Sequence, residues 1–403
     1  MVNPPEFSAG MTYSISQDIK IITLMRFSTK QIHAGQKPEE TTGAVIEPIF
    51  MTSTYANKKL GETKGFDYGR TTNPTRFTLE KNLAALENGK HGFCFASGMA
   101  AIQALITLFQ PGDHIICTNN MYGGTYRLYE QIITKYGIEF TYIDTSNFEK
   151  IKEAVKDNTR LIYMETPTNP MLAITDLAAV AEFAKSKNIT TCVDNTFMSP
   201  YFQNPLDFGI DVVNHSTTKY INGHSDVIGG CLITSNDDYA ERFYFFQKSI
   251  GAVPSPFDCW LTLRATKTLS QRMRDHNANA MAIADAFKNN TKIQKIYYPG
   301  LESHPQYELT KKKIRGFGGI ISFEMGSMDK AAAVCNNVKI FQLAESLGGV
   351  ESLICHPASM THASVPKDVR ESFGLTDGLV RLSVGIEDKE DLIEDIQNAV
   401  DKV

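Results

Sequence analysis

The sequence has no excess of positive charge. It contains 40 lysine and arginine residues against 45 aspartate and glutamate residues, which gives a formal net charge of −5 at pH 7. Proteins that bind nucleic acid or anionic membranes need a concentrated basic face. We therefore expect neither a nucleic acid nor a membrane among the partners of this chain, and an anionic ligand must be held by a few well-placed groups.

The sequence also lacks long hydrophobic runs and closely spaced cysteine pairs. The apolar stretch at residues 19–25 is interrupted by Lys20 and Thr23, so it is too short for the hydrophobic region of a signal peptide, and no run reaches transmembrane length. The seven cysteines are an odd number, lie far apart without a C-x-x-C pair, and in cases such as Cys94 sit inside apolar runs. This pattern is typical of buried, reduced thiols and not of a disulfide framework or a zinc site. The sequence predicts a cytoplasmic protein without a bound metal.

Between residues 75 and 265, short apolar or β-branched runs alternate with segments of helical periodicity. This alternation is typical of βαβ units and predicts a mostly parallel sheet with helices on both faces. The predicted strands are residues 92–96, 114–118, 139–143, 160–164, 190–194, 211–214 and 227–234. The predicted helices are residues 75–88, 99–109, 125–136, 147–156, 177–187 and 239–249.

The two ends of the chain differ from this central part. A length of 403 residues suits two or three domains. Residues 1–27 have no sustained periodicity and are predicted to be a flexible extension, and residues 28–74 are a turn-rich arm. Residues 266–403 open with a helical stretch at 269–289, continue with strands at 319–324 and 379–384, and end with a helix from Asp388, which predicts a smaller α+β domain.

Polar residues follow several of the predicted strands. They are Ser97, Gly98 and Met99, then Glu165 with Asn169, then Asp194 and Asn195, and finally the run from Ser216 to Lys219. In such sheets ligands bind beyond the carboxyl ends of the strands, so these residues should gather at one edge. Singly, each has an ordinary structural explanation, such as a helix cap, an ion pair or a surface lysine.

Together, the strand-end residues match the needs of pyridoxal 5′-phosphate (PLP). This cofactor needs a lysine for a Schiff base, a carboxylate at its pyridine nitrogen and several donors for its phosphate. Lys219 and Asp194 supply the first two. The backbone N–H groups of Gly98 and Met99 at a helix start, with the hydroxyls of Ser216 and Thr218, supply the donors.

Two other motif interpretations are weaker. The run from Ser216 to Lys219 also fits the S-x-x-K signature of serine β-lactamases, but the companion S-D-N and K-T-G motifs and a G-x-S-x-G motif are absent. The cluster at residues 316–319 is not G-x-G-x-x-G and predicts a tight turn rather than a dinucleotide site.

At the level of motifs, the chain resembles the Cys/Met-metabolism family of PLP enzymes, the trans-sulfuration γ-family of fold type I. The resemblance covers roughly residues 28 to 400, and it implies a fold-type-I, transferase-like α/β fold with PLP as the cofactor. The matching segments are residues 32–36, 73–76, 96–100, 122–125, 165–170, 193–197, 218–226, 344–349, 360–362 and 380–385.

The resemblance implies a role for each of a set of residues. Lys219 would hold PLP as a Schiff base and shuttle protons, Asp194 would pair with the pyridine nitrogen, and Tyr122 would lie over the ring as an acid or base. The residues implied to bind the cofactor are Tyr68, Arg70, Gly98, Met99, Tyr122, Asp194, Ser216, Thr218 and Lys219. Those implied to bind the substrate are Arg70, Tyr122, Arg127, Asn169, Glu345, Ser346, Thr361 and Arg381.

The resemblance also implies an assembly. Tyr68 and Arg70, on the arm at residues 28–74, would reach the phosphate site of a neighbouring subunit. Active sites are then shared between subunits, and the family implies a homotetramer built as a dimer of dimers.

For the reaction, the chain is most similar to the family's cystathionine-cleaving γ-lyases. This implies γ-elimination of L-cystathionine to L-cysteine, 2-oxobutyrate and ammonia, with production of hydrogen sulfide as a possible side activity. The alternatives are γ-replacement, in which a γ-synthase joins cysteine to an O-acyl-homoserine, and then γ-cleavage of methionine. A PLP-binding protein without catalysis is a further alternative, against which the joint presence of Lys219, Asp194 and Tyr122 argues.

Three positions bear on the choice among these reactions. Glu345 is the acidic residue that lyases and γ-synthases place near the substrate's distal amine. Gly124 stands where methionine γ-lyases carry a cysteine, and this counts against methionine as the substrate. Cys355 replaces a glutamate of eukaryotic cystathionine-cleaving enzymes, so one supporting carboxylate is missing.

Overall fold

The computed structural model describes residues 25–403, and its larger part is built on a seven-stranded sheet. The strands are β1 (His91–Phe95), β2 (His114–Thr118), β3 (Glu139–Ile143), β4 (Thr159–Glu165), β5 (Thr190–Asp194), β6 (Val212–His215) and β7 (Gly230–Thr234). They lie in the order β1, β7, β6, β5, β4, β2, β3. Strands β2 to β6 pair in parallel, whereas β7 pairs antiparallel with both of its neighbours. The prediction of a mostly parallel sheet is confirmed.

Helices cover both faces of this sheet, as predicted. Successive side chains of a strand point to opposite faces, and on β2 the side chains of Ile115 and Cys117 join one apolar cluster while Ile116 joins another. The first helices are α1 (Phe27–His33), α2 (Pro74–Leu86), α3 (Gly98–Ile106), α4 (Gly123–Gln131), α5 (Phe148–Ala154), α6 (Leu177–Ser186) and α7 (Ser199–Phe202). They are followed by α8 (Asp237–Ile250), α9 (Pro256–Thr266) and α10 (Leu269–Phe287), and 3₁₀ turns lie at Ile133–Tyr136 and Pro205–Phe208.

A second sheet of five strands forms the core of the C-terminal part. Its strands are β8 (Lys295–Tyr297), β9 (Ile320–Glu324), β10 (Gln342–Leu343), β11 (Leu353–Cys355) and β12 (Leu379–Ser383), in the order β10, β11, β12, β9, β8. The accompanying helices are α11 (Tyr307–Lys313), α12 (Met328–Asn337), α13 (Lys367–Ser372) and α14 (Lys389–Asp401). The sheet is antiparallel except for the pair of β10 with β11. A large α/β unit with a smaller α+β unit is therefore the observed architecture.

The structure departs from the sequence prediction in several places, and strands β8, β10 and β11 and helices α7, α11, α12 and α13 were not predicted. Helix α1 lies in a stretch predicted to be irregular, and helix α9 was not predicted, although Ser255 caps it by accepting from the N–H of Asp258 and Pro256 is its first residue. Strand β7 begins at Gly230 rather than at residue 227, because the peptide groups of Gly229 bond to Thr218. Most of the predicted extension at residues 1–27 lies outside the described residues.

All seven cysteines lie in the described part of the chain, where they are buried with free thiols, as predicted. Among residues 25–403, no helix has both the length and the apolar character needed to cross a membrane.

Candidate active site

Lys219 lies on a tight turn that follows strand β6. The turn closes with a hydrogen bond of 2.7 Å from the Gly223 N–H to the Lys219 carbonyl, and Gly223 has a φ of 70°, a conformation that glycine adopts without cost. The buried guanidinium of Arg272, on α10, donates to the carbonyls of Tyr220 at 2.6 Å and Ile221 at 3.1 Å. Arg272 therefore fixes the backbone that carries Lys219. Sequence reasoning missed it, since no local pattern connects a helical arginine to a turn about 50 residues earlier.

The Lys219 amine points towards the C-terminal sheet. Its Nζ donates to the hydroxyl of Ser346 over 2.7 Å. Burial, followed by the charge of Arg381, lowers the pKa of Lys219 to about 8, although the carboxylate of Glu345 acts in the opposite direction. The amine is therefore a nucleophile near neutral pH, as a lysine that forms Schiff bases must be.

Arg381, on β12, is a buried cation with neutral partners. Its Nη1 donates to Asn169 Oδ1 at 2.8 Å and its Nη2 donates to the Ser346 carbonyl at 2.7 Å, while the buried Nε has no partner. None of the ion pairs among residues 25–403 includes Arg381. A guanidinium in this state is suited to grip a carboxylate through two parallel hydrogen bonds.

Ser346 joins these two groups. Its side chain accepts from Lys219 and its carbonyl accepts from Arg381, so the amine and the guanidinium meet at one residue. Ser346 has a φ of 103°, which is strained for a residue with a side chain and persists only where the surroundings enforce it.

Asp194, the last residue of β5, is a buried anion with neutral donors. Its Oδ2 accepts from Asn214 Nδ2 at 2.8 Å and from the Tyr163 hydroxyl at 3.2 Å, and its Oδ1 accepts from the Thr196 N–H at 3.1 Å. No lysine, arginine or histidine of the described residues pairs with Asp194 as an ion pair. The sequence predicted Asp194 but none of the three donors, which come from two neighbouring strands and the loop after β5.

The start of helix α3 forms a second cluster with Ser216. Ser97 caps the helix by accepting from the Ala100 N–H at 3.1 Å, so the N–H groups of Gly98 and Met99 remain without a partner inside the helix. A Cβ atom on Gly98 would lie 3.0 Å from the Ser216 Cβ, so a larger residue here would have to push Ser216 away. The capped helix start therefore keeps two N–H groups free for an anionic ligand.

Thr218 is placed differently from the other predicted phosphate donors. Its hydroxyl donates to the Gly229 carbonyl at 3.2 Å and accepts from the Gly229 N–H at 3.0 Å. A phosphate that bound Thr218 would have to take over the hydrogen bond that the hydroxyl now donates to Gly229.

Tyr122 stands at the start of helix α4 with its ring partly exposed. Its N–H donates to the Glu165 carboxyl over 2.9 Å, and its ring lies directly over Gly124, where a Cβ atom would collide with ring carbon Cε1. Sequence reasoning placed Glu165 at a strand end but gave it no role in the site.

The other residues predicted to bind the substrate differ in how far they are buried. Glu345 is exposed, yet its charge reaches Lys219. Arg127 is exposed on α4, and Thr361 is half-buried with its hydroxyl 2.9 Å from His362 Nδ1. Cys355 pairs with Arg381 across the antiparallel strands β11 and β12, so a neutral thiol and not a carboxylate lies beside the guanidinium.

Tyr68 and Arg70 are not brought to this centre within one chain. The Arg70 guanidinium lies over the Tyr68 ring, 5.4 Å from its centroid, and also donates to the carbonyl of Lys248 on α8. Both residues are exposed, and within residues 25–403 neither bonds to Lys219, Asp194 or Arg381.

These residues fit PLP. The Asp194 carboxylate has no cationic partner among the described residues and can therefore pair with a pyridinium. The start of α3 and the nearby Ser216 offer donors without partners for a phosphate. Lys219 supplies a buried amine of lowered pKa. The fold and the site together define a PLP-dependent enzyme of the α/β class.

The chain belongs to the family of Cys/Met metabolism PLP-dependent enzymes, whose family model matches residues 28–401. The cystathionine gamma-lyase of Bacillus subtilis is 49% identical over 379 residues, which cover 94% of this chain and 100% of that protein. The cystathionine beta-lyase of Coxiella burnetii is 49% identical over 375 residues, which cover 92% of this chain and 97% of that protein. The solved structure of cystathionine gamma-lyase from Lactobacillus plantarum complexed with L-serine matches with a TM-score of 0.90 at 43% identity, and the match covers 93% of this chain and 98% of that chain.

The lowered pKa of Lys219 predicts how the apo protein captures PLP. Only the neutral amine attacks an aldehyde, so the capture rate should rise about tenfold from pH 7 to 9 and then level off, whereas an ordinary lysine gives about a hundredfold rise with no plateau. Stopped-flow absorbance of apo protein mixed with PLP measures this rate. Glu345→Gln should move the midpoint to lower pH, because the Glu345 carboxylate raises the pKa of Lys219. A rate that still climbs tenfold per pH unit above pH 9 contradicts the assignment.

The contact between Gly124 and Tyr122 predicts the effect of a small side chain. Gly124→Ala should displace the Tyr122 ring and lower kcat by about tenfold to a hundredfold, while the fold is kept. Steady-state kinetics of Gly124→Ala, Tyr122→Phe and the double variant measure the coupling. If the alanine acts through Tyr122, it should lower kcat little in the Tyr122→Phe background. An equal decrease of kcat in both backgrounds argues against this route.

Proposed function

We propose that this chain is a PLP-dependent carbon–sulfur lyase that performs γ-elimination of L-cystathionine, giving L-cysteine, 2-oxobutyrate and ammonia. The observation that carries the proposal is the meeting of Lys219 and Arg381 at Ser346. An α-amino acid carries its amine and its carboxylate on one carbon, so a lysine that is displaced by the amine and an arginine that grips the carboxylate must lie this close. The names of the relatives from Bacillus subtilis and Lactobacillus plantarum support cystathionine as the substrate.

The proposed mechanism assigns one task to each residue. PLP, when bound, supplies an electron-accepting ring that stabilises negative charge at the substrate α-carbon. Asp194 keeps a proton on the pyridine nitrogen, and the N–H groups of Gly98 and Met99 with the Ser216 hydroxyl hold the phosphate. Arg381 and Asn169 orient the substrate through its carboxylate.

Proton transfers fall to Lys219 and Tyr122. The neutral amine of Lys219 removes the α-proton and later a β-proton, since its pKa of about 8 lets it both accept and return a proton near neutral pH. Tyr122, whose ring is partly exposed, donates a proton to the departing sulfur. Glu345 is exposed at the mouth of the site, where a carboxylate favours the distal amine of cystathionine over the thioether methyl of methionine.

We further propose that the active form is a homotetramer with shared sites, to which the arm at residues 28–74 contributes. The arm exposes apolar side chains at Val45 (84% exposed), Met51 (67%) and Leu60 (103%), and so do the segment before β7 at Ile228 (67%) and helix α8 at Phe245 (64%). Large apolar side chains that lie exposed on one chain are suited to contacts with another subunit. Subunit association also explains why Tyr68 and Arg70 lie away from the centre of their own chain.

We place the protein in the cytoplasm on the basis of its cysteines. All seven thiols are free and buried, a state typical of a reducing compartment.

The proposed reaction predicts the products from L-cystathionine. The PLP-loaded protein should release 2-oxobutyrate and cysteine, and Lys219→Ala should lower the rate by about a thousandfold or more, because both proton transfers pass through its amine. Keto-acid and thiol analysis measures the products, with the exposed Lys288→Ala as a control that keeps activity. Pyruvate with homocysteine makes the enzyme a β-lyase. If neither pair forms, and an O-acyl-homoserine with cysteine gives cystathionine, the enzyme is a γ-synthase.

The proposed sharing of sites predicts complementation between two inactive variants. Lys219→Ala and Arg70→Ala should each be inactive alone, but chains mixed by refolding should regain about a quarter of the activity, since half of the dimers are mixed and one of their two sites is intact. Activity of the mixture measures this recovery. A mixture no more active than its components contradicts sharing, provided that wild-type protein refolded in the same way is active.

A further inference from the structure

The Glu165 carboxyl connects two parts of the site that no assigned role joins. Glu165 is the last residue of β4 and is 5% exposed. Its Oε2 accepts from the N–H of Tyr122 at 2.9 Å, and the backbone N–H of Asn169 lies close enough to lower the pKa of the carboxyl. Tyr122 begins helix α4 and Asn169 bonds to Arg381, so one side chain bonds to the backbone of the acid–base group and lies beside the backbone of the carboxylate grip.

We propose that Glu165 is a positioning residue that acts as a neutral hydrogen-bond acceptor and fixes Tyr122 and Asn169 relative to each other. This inference deepens the proposed function and rests on the roles proposed there for Tyr122 and Arg381.

The start of helix α4 needs such a support. Tyr122 occupies the N-cap position without a side-chain cap, and Gly123 and Gly124, which follow, have no side chains. Gly123 packs so closely that a Cβ atom would lie 2.6 Å from the Thr361 carbonyl. The turn has no side chain of its own to hold it, and the Glu165 carboxyl on β4 accepts from the N–H of the N-cap residue Tyr122, the bond that a glutamate of the first turn makes in a capping box.

The neighbourhood of Glu165 favours its neutral form. Glu165 and Asp194 are directly paired residues of the adjacent strands β4 and β5, and both are buried. Burial and then the charge of Asp194 raise the pKa of Glu165 well above its usual range, although the backbone N–H groups of Tyr122 and Asn169 and then the charge of Arg381 act in the opposite direction. The hydroxyl of Tyr163 and the side-chain amide of Asn214 donate to Asp194, whereas no side-chain donor of the described residues bonds to Glu165.

Glu165→Gln and Glu165→Ala separate position from charge. Glutamine keeps a carbonyl oxygen for the Tyr122 N–H without a charge, so kcat should stay within about threefold of wild type, whereas alanine should lower it by about thirtyfold or more. In the Tyr122→Phe background, Glu165→Ala should lower kcat only a few-fold, because the Tyr122 hydroxyl that it would misplace is already absent. If glutamine is as damaging as alanine, the neutral acceptor is wrong; if alanine costs as much in the Tyr122→Phe background, the link to Tyr122 is wrong.

A binding measurement tests the link to Asn169 independently of turnover. Glycine has an amine and a carboxylate but no leaving group, and its binding to the PLP-loaded protein can be followed by the absorbance of the cofactor. Glu165→Ala should weaken glycine binding by about fivefold or more through the released Asn169, and Glu165→Gln should not. Unchanged glycine affinity in Glu165→Ala overturns this part of the inference.

Asp395 supplies a matched control outside the site. Its carboxyl is also buried and accepts from the backbone N–H groups of Lys339, Ile340 and Phe341 at 2.7, 2.8 and 3.0 Å. Asp395→Ala should lower the melting temperature of the apo protein. At temperatures below that melting temperature, kcat and the affinity for glycine should be unchanged. A parallel loss of kcat in Asp395→Ala means that the Glu165→Ala effect is one of general stability. If the wild type fails to cleave cystathionine, the proposed function fails while the glycine comparison still decides the role of Glu165.

Discussion

A buried charge without an ionic partner is the constraint around which this site is built. The guanidinium of Arg381 and the carboxylate of Asp194 are both removed from water, and such isolated charges are costly unless dipoles surround them. The fold surrounds Arg381 with the oxygens of Asn169 and Ser346, and it surrounds Asp194 with donors that include Tyr163. An arginine–aspartate ion pair would have been more stable and inert. Keeping the two charges apart leaves one available for a substrate carboxylate and the other for a pyridinium.

Lys219 depends on groups from both parts of the fold. The charge of Arg381 contributes to its lowered pKa, and Ser346 accepts its hydrogen bond. Its turn lies between Arg272 and Gly348, where a Cβ atom on Gly348 would lie 2.7 Å from the Tyr220 nitrogen. The reactive amine is therefore set between the two sheets and belongs to neither alone.

The sequence allowed much of the large sheet to be predicted, since strands β2, β3 and β5 match their predicted ranges and the others differ by a few residues. The sequence also singled out the strand-end residues as a candidate site, because parallel strands bring their carboxyl ends to one edge and the chemistry of PLP selects among them. The side-chain contacts that the sequence did not predict join distant segments of the chain. Arg272 and the support of Tyr122 by Glu165 have no local pattern, and the bond of Thr218 to Gly229 moves the start of β7. Their roles, like those of the predicted site residues, stay hypotheses until variants are measured.

The place of Arg272 in the chain has a consequence for the order of synthesis. The ribosome synthesises the large sheet and the turn that carries Lys219 before it synthesises helix α10. The carbonyls of Tyr220 and Ile221 therefore have no guanidinium partner until Arg272 has been added to the chain. Ser346 and Arg381 follow later still. The nascent chain therefore contains Lys219 well before it contains Ser346, which accepts its hydrogen bond, and Arg381, which lowers its pKa. The site is complete only when the last strands have folded.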